Sequence, residues 1–237
     1  MKFKEIKHED IASIDIIIHN RLFLINFKNG EKYFFKLDNT RNYPRKDNFS
    51  KDLCAYREVI SYKVSNIFDF INHPIVEPTI IDGVCGSLIQ FIKGVSLNKF
   101  IQNNPNSLNF NKIKEIALFD WIIGNCDRIF SNIIVDSFNN YWVIDNEFCF
   151  PEKSNCGNVY GYLSYPHLLL INKNDLNLPK NLLSYINDKN KKHIINIISE
   201  INDKAVDLFE ERWEYLVKNK KLPNYKYDKD GYMISLQ

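Results

Sequence analysis

The apolar positions of this chain fall into two regimes. Before residue 93 they come in short, β-branched and aromatic runs: Ile14–Ile18, Leu22–Phe27 and Lys32–Leu37 predict three strands. The last two flank Asn29-Gly30, a dipeptide favoured in tight type I′ turns, so the chain should open as a β-meander. After a polar loop (38–49), Ser50 is a candidate N-cap for a helix. Its apolar residues Leu53, Tyr56, Ile60, Val64, Ile67 and Ile71 recur at spacings of three and four, and His73-Pro74 should end it. Ile75–Ile81 and Ser87–Ile92 predict two more strands around the turn Asp82-Gly83.

Past Gly94 and the polar stretch 102–109 the period changes. Ile113, Ile116, Ala117, Leu118, Phe119, Trp121 and Ile122 predict an apolar helix stopped by Gly124. A strand pair, Asn132–Asp136 and Tyr141–Ile144, follows. The remainder reads as helical: Tyr160–Ile171, Leu182–Asn187 and one long amphipathic helix from Lys192 to Lys218, with Ile194, Ile197, Ile198, Ile201, Ala205, Leu208, Phe209 and Trp213 on its apolar face. These elements describe an α+β chain, β-rich with one helix over 1–93 and mostly helical over 94–237.

Composition narrows the classes of function. Hydrophobic residues make up 45% and aromatic residues 14%, which argues against disorder. With 31 basic against 29 acidic residues the net charge is +2, too small for a general pull towards nucleic acid or an anionic membrane. The five cysteines are odd in number and never form C-x-x-C, which points to a reduced, cytoplasmic setting. Charges recur every few residues from Met1 to Phe27, so no signal peptide is expected, and no apolar run reaches the roughly 18 residues of a membrane span.

The candidate chemistry lies in Asp127-Arg128-Ile129-Phe130-Ser131-Asn132 and, beyond a short apolar run, Ile144-Asp145-Asn146. Asp127 follows a helix stop, where a side chain is exposed as a general base must be. Asn132 lies five residues later, the Asp-to-Asn separation of the protein-kinase catalytic loop, and Asp145 ends a strand thirteen residues further on. Upstream, Lys36 interrupts an otherwise apolar strand and Glu58 sits at the edge of the apolar stripe of the first predicted helix. Alone, Lys36 is more simply a residue on the solvent face of a strand and Glu58 a surface partner of Arg57. In this order with the downstream trio, the five form the set that phosphoryl transfer uses for positioning and charge neutralisation. The five histidines show no metal-ligand spacing, and Trp121, Trp142 and Trp213 fit core positions rather than a nucleic-acid platform.

The stretch Ala117–Arg128, with Asn132 and Ile144-Asp145-Asn146-Glu147-Phe148-Cys149-Phe150, resembles the catalytic core of the atypical kinases. That group includes the phosphatidylinositol 3- and 4-kinases, HipA-like bacterial kinases and the four-jointed and Golgi casein kinases. Ala55–Val59, Val76–Ile80 and Gly86–Ile92 resemble small bacterial phosphatidylinositol-kinase-like proteins, and the likeness covers residues 30 to 150. It implies a bilobal protein-kinase-like fold, with N-lobe 1–93 and C-lobe 94–237, acting on ATP with Mg²⁺ or Mn²⁺. Lys36 would hold the α- and β-phosphates, Glu58 would orient it, Asp127 would be the base, and Asn132 and Asp145 would bind metal. Leu88–Lys93, with Gln90, Phe91 and Ile92 at its centre, would be the hinge against which adenine stacks. The acceptor would be a Ser or Thr hydroxyl of a protein; a lipid or small-molecule acceptor, or a nucleotide-binding pseudokinase, are the alternatives.

Two departures stand out. Ile129 occupies the place of a histidine that follows Asp-Arg in many relatives, and no glycine-rich phosphate loop is visible near the first hairpin turn, His19-Asn20-Arg21. Arg21 could cover the phosphates instead, although a solvent-exposed turn arginine is the commoner case.

Overall fold

The computed structural model describes residues 3–18, 21–38, 54–125, 127–152, 164–227 and 233–236; Ser50, Leu53 and Cys126 lie outside them. Strands β1 (Lys4–Ile6), β2 (Ile11–Ile18), β3 (Leu22–Phe27), β4 (Lys32–Leu37), β5 (Val76–Ile81) and β6 (Val84–Gln90) form one sheet in the order β1-β5-β6-β4-β3-β2. It is antiparallel except for the β1–β5 pair. Alternation sends Ile6, Ile25, Phe35, Ile81 and Leu88 to one buried cluster. Val76 and Ile89 go to the other face, where Val59 of helix α1 (Cys54–Ser65) covers them.

The β3–β4 turn at Asn29-Gly30 and the β5–β6 turn at Asp82-Gly83 both use glycine, but the type I′ geometry falls on the second of them. Asp82 and Gly83 both have positive φ, 50° and 75°, and join strands whose register closes at Ile81 and Val84. At Asn29-Gly30 only Gly30 is left-handed, with φ 88°. Gly30 N–H donates to Phe27 O at 2.9 Å and Phe27 N–H to Glu31 O at 2.9 Å, the pattern of a longer turn closed by a bulge. Helix α1 stops at Ser65 rather than at His73-Pro74. Ser65 Oγ donates to Tyr62 O at 2.8 Å, and the chain breaks into turns that send Phe68, Phe70 and Ile71 into the main core.

That core belongs to the second half. Helix α2 (Leu97–Asn103) was not expected from the pattern; α3 (Phe110–Ile123) was. Asn109 caps α3 by accepting from the amides of Asn111 and Lys112, and Gly124 ends it in the left-handed region at φ 61°. A small sheet of β7 (Val95–Ser96), β8 (Ile133–Val135) and β9 (Tyr141–Val143) packs beside it. The helices α4 (Tyr165–Asn172), α5 (Lys180–Leu183), α6 (Asp188–Ile198) and α7 (Asp203–Asn219) close the core around Trp213, Phe209 and Phe119. The single long helix expected over 192–218 is thus two. Asn202 accepts from Ala205 N–H at 2.9 Å and restarts the helix with Asp203 in its first turn. Strands β10 (Asn224–Tyr227) and β11 (Met233–Leu236) form a terminal hairpin. Among the described residues no helix is long and apolar enough to cross a membrane.

Two imidazoles are buried in this frame. His167 Nε2 lies 2.8 Å from Pro223 O and His73 Nδ1 2.8 Å from Pro74 O. Burial pushes both down to about 4. A depressed imidazole pKa means that the unfolded chain takes up protons first, so stability is intact above pH 6.5 and is lost as pH falls towards 4. The expected loss is on the order of 3 kcal/mol for each. His167→Gln keeps a donor for Pro223 O. Its urea midpoint should fall less between pH 6.5 and 4 than that of the parent, and an unchanged acid slope would contradict the neutral, buried state.

Candidate active site

A cavity of about 370 Å³ opens between the six-stranded sheet and the helical half. Ile18, Leu22, Phe34 and Ile89 form its apolar roof, with Ile134 and Ile144 opposite. Ile17 also reaches it, although neighbouring strand residues normally face opposite ways. A bulge between Ile16 and Ile18 in the β2–β3 register gives the extra residue that re-aims one of them. At one end the lining turns polar, with Arg21, Lys36, Glu58, Asn132 and Asp145. A mostly apolar cavity with a few convergent polar groups is the usual form of a small-molecule site.

Lys36 is the centre of that end and is 6% exposed. Its Nζ lies 3.1 Å from Glu58 Oε1, 2.5 Å from Asp145 Oδ1 and 2.9 Å from Glu147 Oε2. Burial disfavours the ammonium, but Asp145, Glu58 and Glu147 outweigh it and hold the Lys36 pKa well above the ordinary lysine value. For Glu58 burial prevails over Lys36 and raises the carboxyl pKa. For Asp145 the balance is reversed: Lys36 overcomes the burial penalty and lowers it. Lys36 is therefore a permanent cation. Strand β6 approaches the Lys36 backbone closely because residue 86 is glycine: a Cβ there would stand 2.4 Å from Lys36 O.

The loop that carries Asp127 and Asn132 is built on one buried guanidinium. Arg128 Nε donates to Asp120 Oδ1 at 3.1 Å, and Nη1 donates to Asn132 O at 3.1 Å and to Ile144 O; Nη2 donates to Asn146 Oδ1. Asn146 N–H in turn donates to Glu58 Oε1 at 2.9 Å, and Asn146 Nδ2 lies 2.9 Å from His73 Nε2. With His73 Nδ1–H given to Pro74 O, Nε2 is the acceptor of that bond. These bonds flank Asp145 and hold it at φ 60°, a conformation that a residue with a side chain keeps only when its neighbours fix it.

The structure brings Lys36, Glu58 and Asp145 into direct contact and places Asn132 on the same cavity wall. Asp127 sits half-buried on the loop before Asn132, its carbonyl accepting from Asn132 Nδ2 at 3.1 Å, and it is not among the residues lining the cavity. Gln90, Phe91 and Ile92 do line it. The Gln90 and Phe91 amides are committed to Ile75 O at 2.9 Å and Lys32 O at 3.1 Å. Arg21 is not a solvent-facing turn residue: its guanidinium pairs with the buried Glu147. Glu147, Asn146, Arg128 and His73 were not predicted as site residues. Adjacency to Asp145 was the available signal for the first two; the burial of Arg128 and His73 depends on contacts far along the chain.

No protein-family model matches the sequence, and no curated protein is detectably similar to it. Solved structures do match the fold. The Helicobacter pylori proinflammatory kinase CtkA aligns with a TM-score of 0.51 at 11% identity, over 90% of this chain and 93% of that one. The Golgi casein kinase solved with Mn and ADP bound aligns at 0.55 and 12%, over 89% and 72%. A second structure of the Golgi casein kinase gives 0.53 and 12%, over 89% and 73%. The α+β architecture, with its six-stranded sheet followed by a mostly helical half, is thus that of the kinase fold.

Proposed function

We propose that this protein is an ATP- and Mg²⁺-dependent kinase that transfers the γ-phosphoryl group to a Ser or Thr hydroxyl of a protein. The observation that carries the reading is Lys36, held between Glu58 and Asp145 at the polar end of an apolar-roofed cavity that Asn132 also lines. An apolar slot with a fixed cation at one end suits a planar base joined to phosphates.

In this reading Glu58 fixes the Lys36 ammonium and Lys36 holds the α- and β-phosphates. Asp127 takes the proton of the acceptor hydroxyl as its oxygen bonds to the γ-phosphorus and the bond to the bridging oxygen breaks, leaving ADP. A base must face the acceptor rather than the nucleotide, which suits the place of Asp127 beside the cavity. Asn132 and Asp145 fit a divalent cation by donor chemistry. The Asn132 nitrogen is committed to Asp127 O, and a hard amide oxygen and a carboxylate are what Mg²⁺ prefers. Among the described residues no group of three or more His, Cys, Asp or Glu forms a complete metal cage, so phosphate oxygens would fill the remaining positions. A bound ion would neutralise the charge that develops on the phosphates.

The domain division follows from the same reading, with 1–93 as N-lobe and 94–237 as C-lobe. A protein acceptor is favoured over a lipid by the net charge of +2, which gives no general attraction to an anionic bilayer. The test is labelled ATP·Mg²⁺ with a cell lysate, read as protein-bound label together with ADP production. Asp127→Ala should lower the rate by about 10²- to 10⁴-fold if it is the base, with little change in ATP affinity. Label transfer at the parental rate would remove Asp127 from the role.

A further inference from the structure

The carboxylate of Glu147 is the unexplained group of the site. Lys36 already has Glu58 and Asp145 as partners, yet Glu147, 2% exposed, brings a third negative charge to the same ammonium. Such burial is costly without further pairing, and the pairing comes from Arg21, whose Nη2 donates to the other Glu147 oxygen. One carboxylate thus bridges a cation from the turn before β3 and one from β4, and both cations line the cavity. The Arg21 backbone is fixed on each side, its N–H donating to Ile18 O at 3.1 Å and its O accepting from Leu37 N–H at 2.9 Å. Its side chain is 28% exposed, open enough for another anion to reach it.

Arg21 and Lys36 meet at the polar end of an apolar slot and share one carboxylate, while Glu58 and Asp145 engage Lys36 alone; a carboxylate bridging two cations marks the place that a polyphosphate would take. Resting on the nucleotide reading above, we infer that Arg21 binds the triphosphate in place of a glycine-rich loop and that Glu147 is a competing anion which the phosphates displace from Arg21 and Lys36. A glycine-rich loop would hold phosphates with backbone amides; here a guanidinium with several donors in a planar fork does that work from the opening turn of β3. The remaining pairs of Lys36 with Glu58 and Asp145 keep the lysine in place when Glu147 is released.

The two residues predict opposite signs, which separates this inference from a structural role. Calorimetry in EDTA with inorganic tripolyphosphate, ATP and adenosine provides the test. Arg21→Ala should weaken tripolyphosphate and ATP by about 10- to 100-fold, the range of one lost charge-assisted hydrogen-bonding group, and leave adenosine within about twofold. Arg21→Lys should recover part of the loss. Glu147→Gln, which keeps the shape and removes the charge, should tighten tripolyphosphate and ATP. In turnover assays Arg21→Ala should raise the KM for ATP more than it lowers kcat. Unchanged tripolyphosphate binding in Arg21→Ala, weaker binding in Glu147→Gln, or an equal loss of adenosine would overturn the inference. A parent protein that binds tripolyphosphate through Arg21 but neither adenosine nor ATP would sustain the anion subsite and end the nucleotide reading.

Discussion

Asp145→Ala should lower phosphoryl transfer by on the order of 10³-fold, from the loss of about 4 kcal/mol of metal-mediated charge stabilisation. The same variant should bind metal-free ATP at least as well as the parent does. The reason lies in the local charge count: Arg21 and Lys36 supply two positive charges against three negative ones from Glu58, Asp145 and Glu147, a formal net of −1. Removing Asp145 brings the count to zero and frees part of Lys36 for phosphate. Thermal stabilisation by ATP should therefore lose its Mg²⁺ dependence without losing its metal-free component. The fold should persist, because Glu58 and Glu147 still pair with Lys36. A variant that keeps Mg²⁺-dependent transfer would remove Asp145 from the proposed metal-binding role, and one that loses ATP binding altogether would point to a positioning role through Lys36.

That Lys36, Glu58, Asn132 and Asp145 converge on one cavity was legible only from their order along the chain and from the five-residue separation of Asp127 and Asn132. A lysine inside an apolar strand and a glutamate at a stripe's edge each read alone as surface residues, and gain meaning only together with the aspartate at a strand's end downstream. Glu147 and Arg21 were not legible as a pair. Each looks like an ordinary surface residue until β3 and the segment after β9 are brought together, and a 126-residue separation leaves no spacing to read. The same holds for the break between α6 and α7. The apolar period runs through it almost unbroken, and only the capping amide of Asn202 marks the restart, a signal present in the sequence but outweighed by periodicity. Asn29-Gly30 shows the converse. The dipeptide favours one turn type, but strand register set the loop length and gave the type I′ geometry to Asp82-Gly83 instead.

The largest effect on stability should come from Arg128→Met. The parent guanidinium is 1% exposed and satisfies Asp120, the carbonyls of Asn132 and Ile144, and Asn146 Oδ1 in one place. Methionine can fill the volume but leaves those acceptors without that donor and a carboxylate at 1% exposure without its cation. Breaking a buried pair in this way costs about 3 to 5 kcal/mol. The pH dependence identifies the cause. In the parent, burial raises Asp120 to about 6 even against the pull of Arg128. Without the arginine the Asp120 carboxyl moves further up, so the folded variant holds a proton that the unfolded chain has released. A raised carboxyl pKa makes the folded state relatively worse as pH rises, by up to about 1.4 kcal/mol per pH unit while one extra proton is held. The stability gap between parent and variant, measured by urea unfolding, should accordingly widen from pH 6 to pH 8 and narrow on acidification. A gap that stays constant over that range would mean that lost packing, rather than a stranded Asp120, accounts for the damage. Asp120→Asn placed on the Arg128→Met background should then recover nothing, whereas the charge argument requires it to restore part of the loss at pH 8.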